Sequence, residues 1–205
     1  MPVTDAQARR FVAGYYGRRA GDVRTLGAGE WSQAYAFVLD GREAVQALLS
    51  VSQETARVPG WRAALAASPV GTGPFDRGYA TLRELAGGLP DVRHVIHGDL
   101  VNHNVLVQGS RITAVIDWGN ALYGDWLYDA AWLMFWWPWF PQWRDIDIGA
   151  ELERHWEQRG SPPPGLHHRL RACLVHIGLD AMAYDAYRRR WDDLARTASQ
   201  LSRLI

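Results

Sequence analysis

The segment that decides the fold runs from His97 to Asp117. It reads HGDLVNHN (97–104), VLV (105–107), QGS (108–110) and RITAVID (111–117). Two short apolar runs flank a turn, and this pattern predicts a β-hairpin. The hairpin carries polar side chains at both ends, because Asp99 and Asn104 precede its first strand and Asp117 follows its second. The sequence therefore predicts two carboxylates and one amide close together.

This set of side chains suits phosphoryl transfer. The reaction needs a carboxylate that accepts a proton from the attacking hydroxyl. It also needs an amide and a second carboxylate that hold Mg²⁺ against the phosphates. Protein kinases carry these groups as His-x-Asp-x-x-x-x-Asn, followed by a separate metal-binding Asp. The chain has the same spacing and order, with Ile116-Asp117-Trp118 in place of Asp-Phe-Gly.

Three motifs in one order resemble the aminoglycoside phosphotransferase family: His97 to Asn104, Ile116-Asp117-Trp118, and Gly124-Asp125-x-x-Tyr128-Asp129. Val92-Arg93-His94 and the stretch 111–118 are most similar to hygromycin B phosphotransferases within it. The resemblance is strongest from residue 75 to residue 140. Gly98 replaces the Arg that answers to a phosphorylated activation loop in protein kinases, which indicates a permanently active site, as in small-molecule kinases.

The resemblance implies an α+β, protein-kinase-like fold and transfer of the γ-phosphate of ATP to a hydroxyl of an aminoglycoside-like substrate. Asp99 would be the catalytic carboxylate, and Asn104 and Asp117 would hold Mg²⁺. Asp129 stands where the family has a structural Asp that bonds the catalytic-loop backbone. We interpret His97 as a second support, which braces the loop.

These residues are also compatible with two other interpretations. Asp and Asn often bond their own backbone in turns, so the Asp99 and Asn104 pair alone would indicate only a loop. His94, His97, Asp99 and His103 are also ligand types that suit Zn²⁺ in a metal hydrolase. The zinc interpretation leaves Asn104 and Asp117 without a role, whereas the kinase-like one uses both.

Composition argues against several classes of partner. Lys plus Arg and Asp plus Glu are 22 each, so no net positive charge points to nucleic acid or to a membrane surface. The longest apolar run, 130–141, is too short to span a bilayer. Cys173 is the single cysteine and fits an inert core thiol in a reducing compartment. With no signal-peptide pattern at residues 1–5, a cytoplasmic location is expected.

The sequence predicts an abbreviated nucleotide lobe at residues 1–45 and a mainly helical catalytic lobe at residues 46–205, with the catalytic hairpin at 97–118. Strands at 23–26 and 31–39 flank the turn Gly27-Ala28-Gly29, whose backbone N–H groups, with Ser32, are candidates for binding nucleotide phosphates. The chain contains no Lys, so Arg42 is the candidate phosphate-binding cation in this lobe.

No stretch between Val45 and His97 is typical of the strand and hinge that bind adenine in kinases. This absence keeps an alternative open, in which the chain is a shortened, non-catalytic relative that binds nucleotide weakly or not at all. The intact Asp99, Asn104 and Asp117 favour the enzyme.

The remaining segments indicate helices and a candidate aromatic surface for binding a sugar. Trp139 and Trp143, which follow the break at Pro138, are candidates to border a cationic aminosugar, and acidic residues at 145–157 would attract its charge. Helical spacing of apolar residues predicts helices at about 5–16, 46–57, 61–67, 75–87, 125–137, 166–187 and 190–203.

Overall fold

The computed structural model describes residues 6, 7, 10, 20–28, 33–39, 45, 48–53, 59–143 and 145–205. The chain forms two compact units, Met1–Glu43 and Ala44–Ile205. In the first unit, strands β1 (Ala20–Ala28) and β2 (Gln33–Leu39) form an antiparallel pair with Thr25 opposite Tyr35.

The turn predicted at Gly27-Ala28-Gly29 was wrong at its first two residues. Gly27 and Ala28 belong to β1 and pair with Ala34 and Gln33, respectively. An irregularity in the pairing between Thr25 and Gly27 lets the strand continue through the glycine, as β-bulges commonly do. Of the helix predicted at 5–16, residues 6, 7 and 10 are helical and the others lie outside the described residues.

The second unit is mainly helical, as the sequence predicts. Its described helices are α1 (Trp61–Ala66), α2 (Gly73–Ala86), α3 (Leu127–Trp136), α4 (Ile148–Gln158), α5 (Leu166–Arg188) and α6 (Trp191–Leu201). Within the described part of the chain, no helix is long and apolar enough to cross a membrane.

The helix predicted at 46–57 was wrong at residues 50–53. A single 3₁₀ turn covers Ser50–Ser52, and Gln53 is already extended, with ψ of 142°. The Trp61 indole N–H donates to the Gln53 carbonyl oxygen at 3.1 Å, and the Arg62 guanidinium donates to that of Ser52 at 3.3 Å. These two carbonyls therefore bond side chains of α1, while residues 54–57 of the predicted helix lie outside the described residues.

Helix α5 lies at the centre of this unit because it is apolar on two sides. One stripe, with spacings of three and four residues, packs against α1, α2 and α6; it consists of Ala172, Val175, Leu179, Met182 and Ala186. The second stripe packs against α3 and α4; it consists of Leu166, Leu170, Cys173, Ile177 and Ala181. A helix with two such stripes is buried between two layers. The prediction of Cys173 as a core thiol is confirmed, since it is free and buried.

Two short antiparallel strand pairs lie beside these helices. Strand β3 (His94–Ile96) pairs with β6 (Leu122–Gly124), and β4 (Val105–Gln108) pairs with β5 (Arg111–Val115). The second pair is the predicted hairpin. In the sequence, β3 precedes this hairpin and β6 follows it. The pairing of β3 with β6 therefore fixes the start of the loop after β3 and the end of the segment after β5.

Candidate active site

The hairpin β4–β5 brings the two polar clusters of the sequence together. Val105 pairs with Val115, so the residues just outside the strands are also neighbours. The Ile116 N–H donates to the carbonyl oxygen of Asn104 at 2.9 Å. Asp117 therefore comes directly after Ile116, the residue whose backbone N–H is bonded to Asn104.

Asp99 and Asn104 are held against each other inside the loop that precedes β4. The Asn104 side-chain amide donates to the backbone oxygen of Asp99 at 2.7 Å and to its carboxylate Oδ2 at 3.3 Å. Asn104 is 7% exposed, so these bonds fix its amide in one orientation. Because Nδ2 is committed to Asp99, the amide oxygen is the atom that Asn104 can offer to a cation.

Asp117 adopts a left-handed backbone conformation, with φ of 59° and ψ of 60°. Few residues other than glycine do so, and such outliers concentrate at functional sites. The Trp118 indole donates to the Val115 carbonyl oxygen at 3.0 Å and closes the turn around Asp117. The Asp117 side chain is exposed and therefore available to a ligand.

His97 is buried and contacts both the loop before β4 and the segment after β5. Its ring is 2% exposed; Nε2 lies 2.8 Å from the Ile116 carbonyl oxygen, and Nδ1 accepts from the Asp99 N–H at 3.3 Å. These contacts correspond to the Nε2–H tautomer. The ring also packs against Trp118 at 4.8 Å between centroids.

The zinc alternative does not fit these contacts. Both ring nitrogens of His97 are occupied by backbone groups. Among the described residues, which include His94, His97, Asp99 and His103, no three His, Cys, Asp or Glu side chains are grouped as a metal site would require. The kinase-like interpretation of Asp99, Asn104 and Asp117 does not require such a group.

Asp129, in the first turn of α3, holds the start of the loop. Its two carboxylate oxygens accept the N–H groups of His97, at 2.8 Å, and Gly98, at 2.9 Å. A carboxylate that accepts two backbone N–H groups fixes the loop more firmly than a neutral acceptor would.

The backbone explains the glycine at position 98. Gly98 has φ of 74°, and a Cβ built there would lie 2.6 Å from the Asn120 carbonyl oxygen. Any side chain would collide with the segment after β5. The sequence suggested a regulatory reason for Gly98, and the structure adds a steric one.

A largely buried ion pair lies beside the site and is not evident from the sequence. The Asp125 carboxylate receives two bonds of 2.7 Å from the Arg169 guanidinium. Hydrogen bonding to Asp125 raises the pKa of Arg169. The two residues are 44 positions apart, and nothing near Arg169 in the sequence distinguishes it from the other arginines. The sequence places Asp125 in the third family motif, and in the structure its Oδ1 also accepts the Leu127 N–H at 3.1 Å, at the start of α3.

The two tryptophans predicted near substrate have different surroundings. Trp139 donates its indole N–H to Gln200 at 3.0 Å, and the Arg196 guanidinium lies 4.0 Å from its ring centroid. Trp143 packs on Phe140 at 4.9 Å, and Phe140 lies 6.3 Å from the ring of His103 in the catalytic loop. Trp143 is therefore linked to the loop through one ring, and Trp139 to α6.

The predicted nucleotide-binding residues are described only in part. Gly27 lies within β1. Gly29, Ser32 and Arg42 lie outside the described residues. Between Val45 and His97, the described residues form helices, turns and the three-residue strand β3.

Comparison with known proteins agrees with this geometry. Residues 19–173, well over half of the chain, match the model of the phosphotransferase enzyme family APH. Hygromycin-B 4-O-kinase of Escherichia coli is 42% identical over 106 residues, which are 52% of this chain and 29% of the relative. The matched part is thus under a third of that relative's length.

Solved structures show the same fold. A thermostable mutant of aminoglycoside phosphotransferase APH(4)-Ia, in a ternary complex with AMP-PNP and hygromycin B, superposes with a TM-score of 0.61 at 22% identity. That match covers 95% of this chain and 80% of the other. APH(4)-Ia itself gives a TM-score of 0.55 at 23% identity, covering 98% and 81%. The fold is therefore kinase-like, as the sequence predicts, and the chain belongs to the APH phosphotransferase enzyme family.

Proposed function

We propose that this protein transfers the γ-phosphate of ATP, with Mg²⁺, to a hydroxyl of a small cationic aminosugar of the aminoglycoside type. One observation carries the proposal: Asp99 and Asn104 are bonded to each other, and the backbone next to Asp117 is bonded to Asn104. This is the grouping of carboxylate, amide and carboxylate that phosphoryl transfer requires.

Asp99 is the proposed catalytic residue. Its carboxylate accepts the proton of the substrate hydroxyl as the oxygen of that hydroxyl forms a bond to the γ-phosphorus. The bond between that phosphorus and the bridging oxygen of ADP breaks. Asp99 is suited to this role because its backbone is fixed at both ends, by His97 through the N–H and by Asn104 through the carbonyl oxygen.

Asn104 and Asp117 are the proposed Mg²⁺ ligands. Both offer oxygen atoms, which Mg²⁺ prefers, and the Asn104 amide is already turned so that its oxygen remains available. Bound Mg²⁺ would neutralise charge on the phosphates. The left-handed backbone at Asp117 ends the extended conformation of β5, and its side chain is exposed.

The aminosugar is proposed to rest on the aromatic surface formed by His103, Phe140 and Trp143. Flat rings pack well on sugar faces, and these three rings are consecutive neighbours, beginning with His103 in the loop before β4. Trp143 fits this role better than Trp139, whose indole and ring face are both occupied by residues of α6. Acidic side chains near the start of α4, among them Asp145, Asp147 and Glu151, would attract the cationic substrate.

The nucleotide is proposed to contact residues 1–45, with Gly27, Gly29 and Ser32 near the phosphates and Arg42 as a cation. The support is the position of these residues ahead of the catalytic loop in the chain. The donor is proposed to be ATP because the structural neighbour is a complex with AMP-PNP.

Calorimetry with Mg-ATP, together with a phosphotransfer assay on hygromycin B, tests the function. Hygromycin B is chosen because the relative is named for its phosphorylation and the neighbour binds it. Turnover that disappears in Asp99→Asn is the expected result. Absence of both binding and turnover in a folded chain would instead establish the non-catalytic alternative.

A further inference from the structure

The position of the catalytic loop depends on where α3 begins. Asp129 lies in the first turn of that helix, and its carboxylate holds the N–H groups of His97 and Gly98. A shift or rotation of the first turn would carry both oxygens away from the loop. Whatever fixes the start of α3 therefore also fixes the backbone that leads into Asp99.

The start of α3 is fixed by Asp125. Its Oδ1 accepts the Leu127 N–H at 3.1 Å, and its carbonyl oxygen accepts the Tyr128 N–H at 2.8 Å. The carboxylate can do this only in one orientation, and Arg169 sets that orientation. Nε donates to Oδ2 and Nη2 donates to Oδ1, both at 2.7 Å.

Arg169 is in turn fixed by its own surroundings. Its Nη1 donates to the Pro164 carbonyl oxygen at 3.0 Å, so the connector 161–165 also holds the guanidinium. The residue is 6% exposed and lies in the first turns of the central helix α5. The three donors point in three fixed directions, as a planar fork requires.

A purely stabilising role does not account for this arrangement well. Charged pairs lose hydration when they are buried, and apolar residues of similar volume often stabilise a core as much or more. A bidentate pair does provide a defined direction, which apolar contacts lack. We infer that Arg169 is a positioning residue that aligns the catalytic loop, acting through Asp125 and the first turn of α3 on the Asp129 carboxylate.

The link to catalysis rests on the proposed phosphotransfer, but the positioning itself can be measured without turnover. Amide hydrogen exchange, followed by NMR, reports the bonds from His97 and Gly98 to Asp129 directly. In Arg169→Met, exchange at these two amides should accelerate roughly tenfold relative to wild type brought to the same global stability with urea. Arg169→Lys keeps the charge but loses the fork, so it should give a smaller acceleration.

Two control variants isolate the effect. Arg154→Met removes the exposed ion pair with Glu151 and should leave exchange at His97 and Gly98 unchanged. Leu194→Ala lowers stability from the α6 side of the core and should accelerate exchange at Ala198 at least as much as at His97 and Gly98.

The inference is overturned if His97 and Gly98 exchange in Arg169→Met no faster than in wild type of matched stability. If Arg169→Met does not fold, the same comparison with Arg169→Lys decides the question. In an active enzyme, Arg169→Lys should lower kcat and leave KM for the sugar unchanged. If exchange changes as expected but the wild-type chain transfers no phosphate, the proposed function fails and the positioning role stands.

Discussion

The Ile116 N–H donates a hydrogen bond of 2.9 Å to the carbonyl oxygen of Asn104, across the open end of the β4–β5 hairpin. The carbonyl oxygen of the same Ile116 lies 2.8 Å from Nε2 of His97. One peptide segment thus links the residue before the first strand to the loop that holds Asp99. The backbone around the proposed proton acceptor and the two proposed metal ligands is held by these hydrogen bonds. Each of the three side chains can therefore be substituted in turn to separate its role in the reaction from its role in the fold.

Asp99→Asn should abolish phosphotransfer and leave stability nearly unchanged. The carboxylate makes one long contact of 3.3 Å with Asn104, whereas the backbone oxygen of residue 99 accepts the shorter bond of 2.7 Å from the same amide. The free energy of unfolding should change by less than about 1 kcal/mol, or about 3 °C in Tm for a domain of this size. Thermal unfolding and an activity assay on the same preparation check both parts. A large fall in Tm would show that residue 99 is structural.

Asp129→Asn should lower stability. The amide keeps one oxygen for an N–H of the loop, but its NH₂ group faces the other N–H and leaves it without an acceptor. The expected loss is about 1–3 kcal/mol, the usual cost of an unsatisfied half-buried donor. Urea unfolding gives the value. If Asp129→Asn is as stable as wild type while Asp99→Asn unfolds, the two roles are exchanged.

Gly98→Ala and Gly109→Ala form a matched pair that separates strain from crowding. Both glycines have positive φ, 74° and 60°, so each substitution carries a backbone cost of about 1–2 kcal/mol. A Cβ at Gly109 meets nothing within 4 Å, whereas one at Gly98 lies 2.6 Å from the Asn120 oxygen. Gly98→Ala should therefore destabilise by more than about 3 kcal/mol, which is strain plus steric overlap. Equal losses in urea unfolding would mean that the segment after β5 moves aside freely.

Mg-ATP should bind weakly to the chain. Between Val45 and His97 the described residues contain helices, turns and one three-residue strand, and no strand with a following hinge. Contacts limited to phosphates and metal are screened by water and salt. We expect a Kd in the millimolar range or weaker, which is about −4 kcal/mol or less favourable. Micromolar binding in calorimetry would contradict this and point to a nucleotide site within residues 46–74.

The catalytic hairpin could be predicted from sequence because its information is local. Two short apolar runs define the strands, and the turn and flanking polar residues follow directly in the chain. The order of Asp99, Asn104 and Asp117 is the basis for the proposed phosphoryl transfer. The two apolar stripes of α5 are also local in sequence, although the helices against which they pack are not.

Features that depend on distant residues were missed. In the helix predicted at 46–57, residues 50–52 form a 3₁₀ turn, and Trp61 and Arg62 bond the carbonyls of Gln53 and Ser52; helical periodicity contains no sign of this. Gly27 continues a strand because of pairing with Ala34, although glycine most often indicates a turn. The Asp125–Arg169 pair joins positions 44 residues apart, a separation at which no sequence pattern links them.

The two stripes of α5 also set a limit on how the chain can evolve. Each residue turns a helix by about 100°, so adding or removing one residue rotates everything beyond it by that angle. A single deletion between Arg169 and Ile177 would turn the later residues of both stripes out of their layers while Arg169 stayed on Asp125. Changes of length should therefore accumulate in connections such as 159–165 and be excluded from α5, even where substitutions of similar volume are accepted.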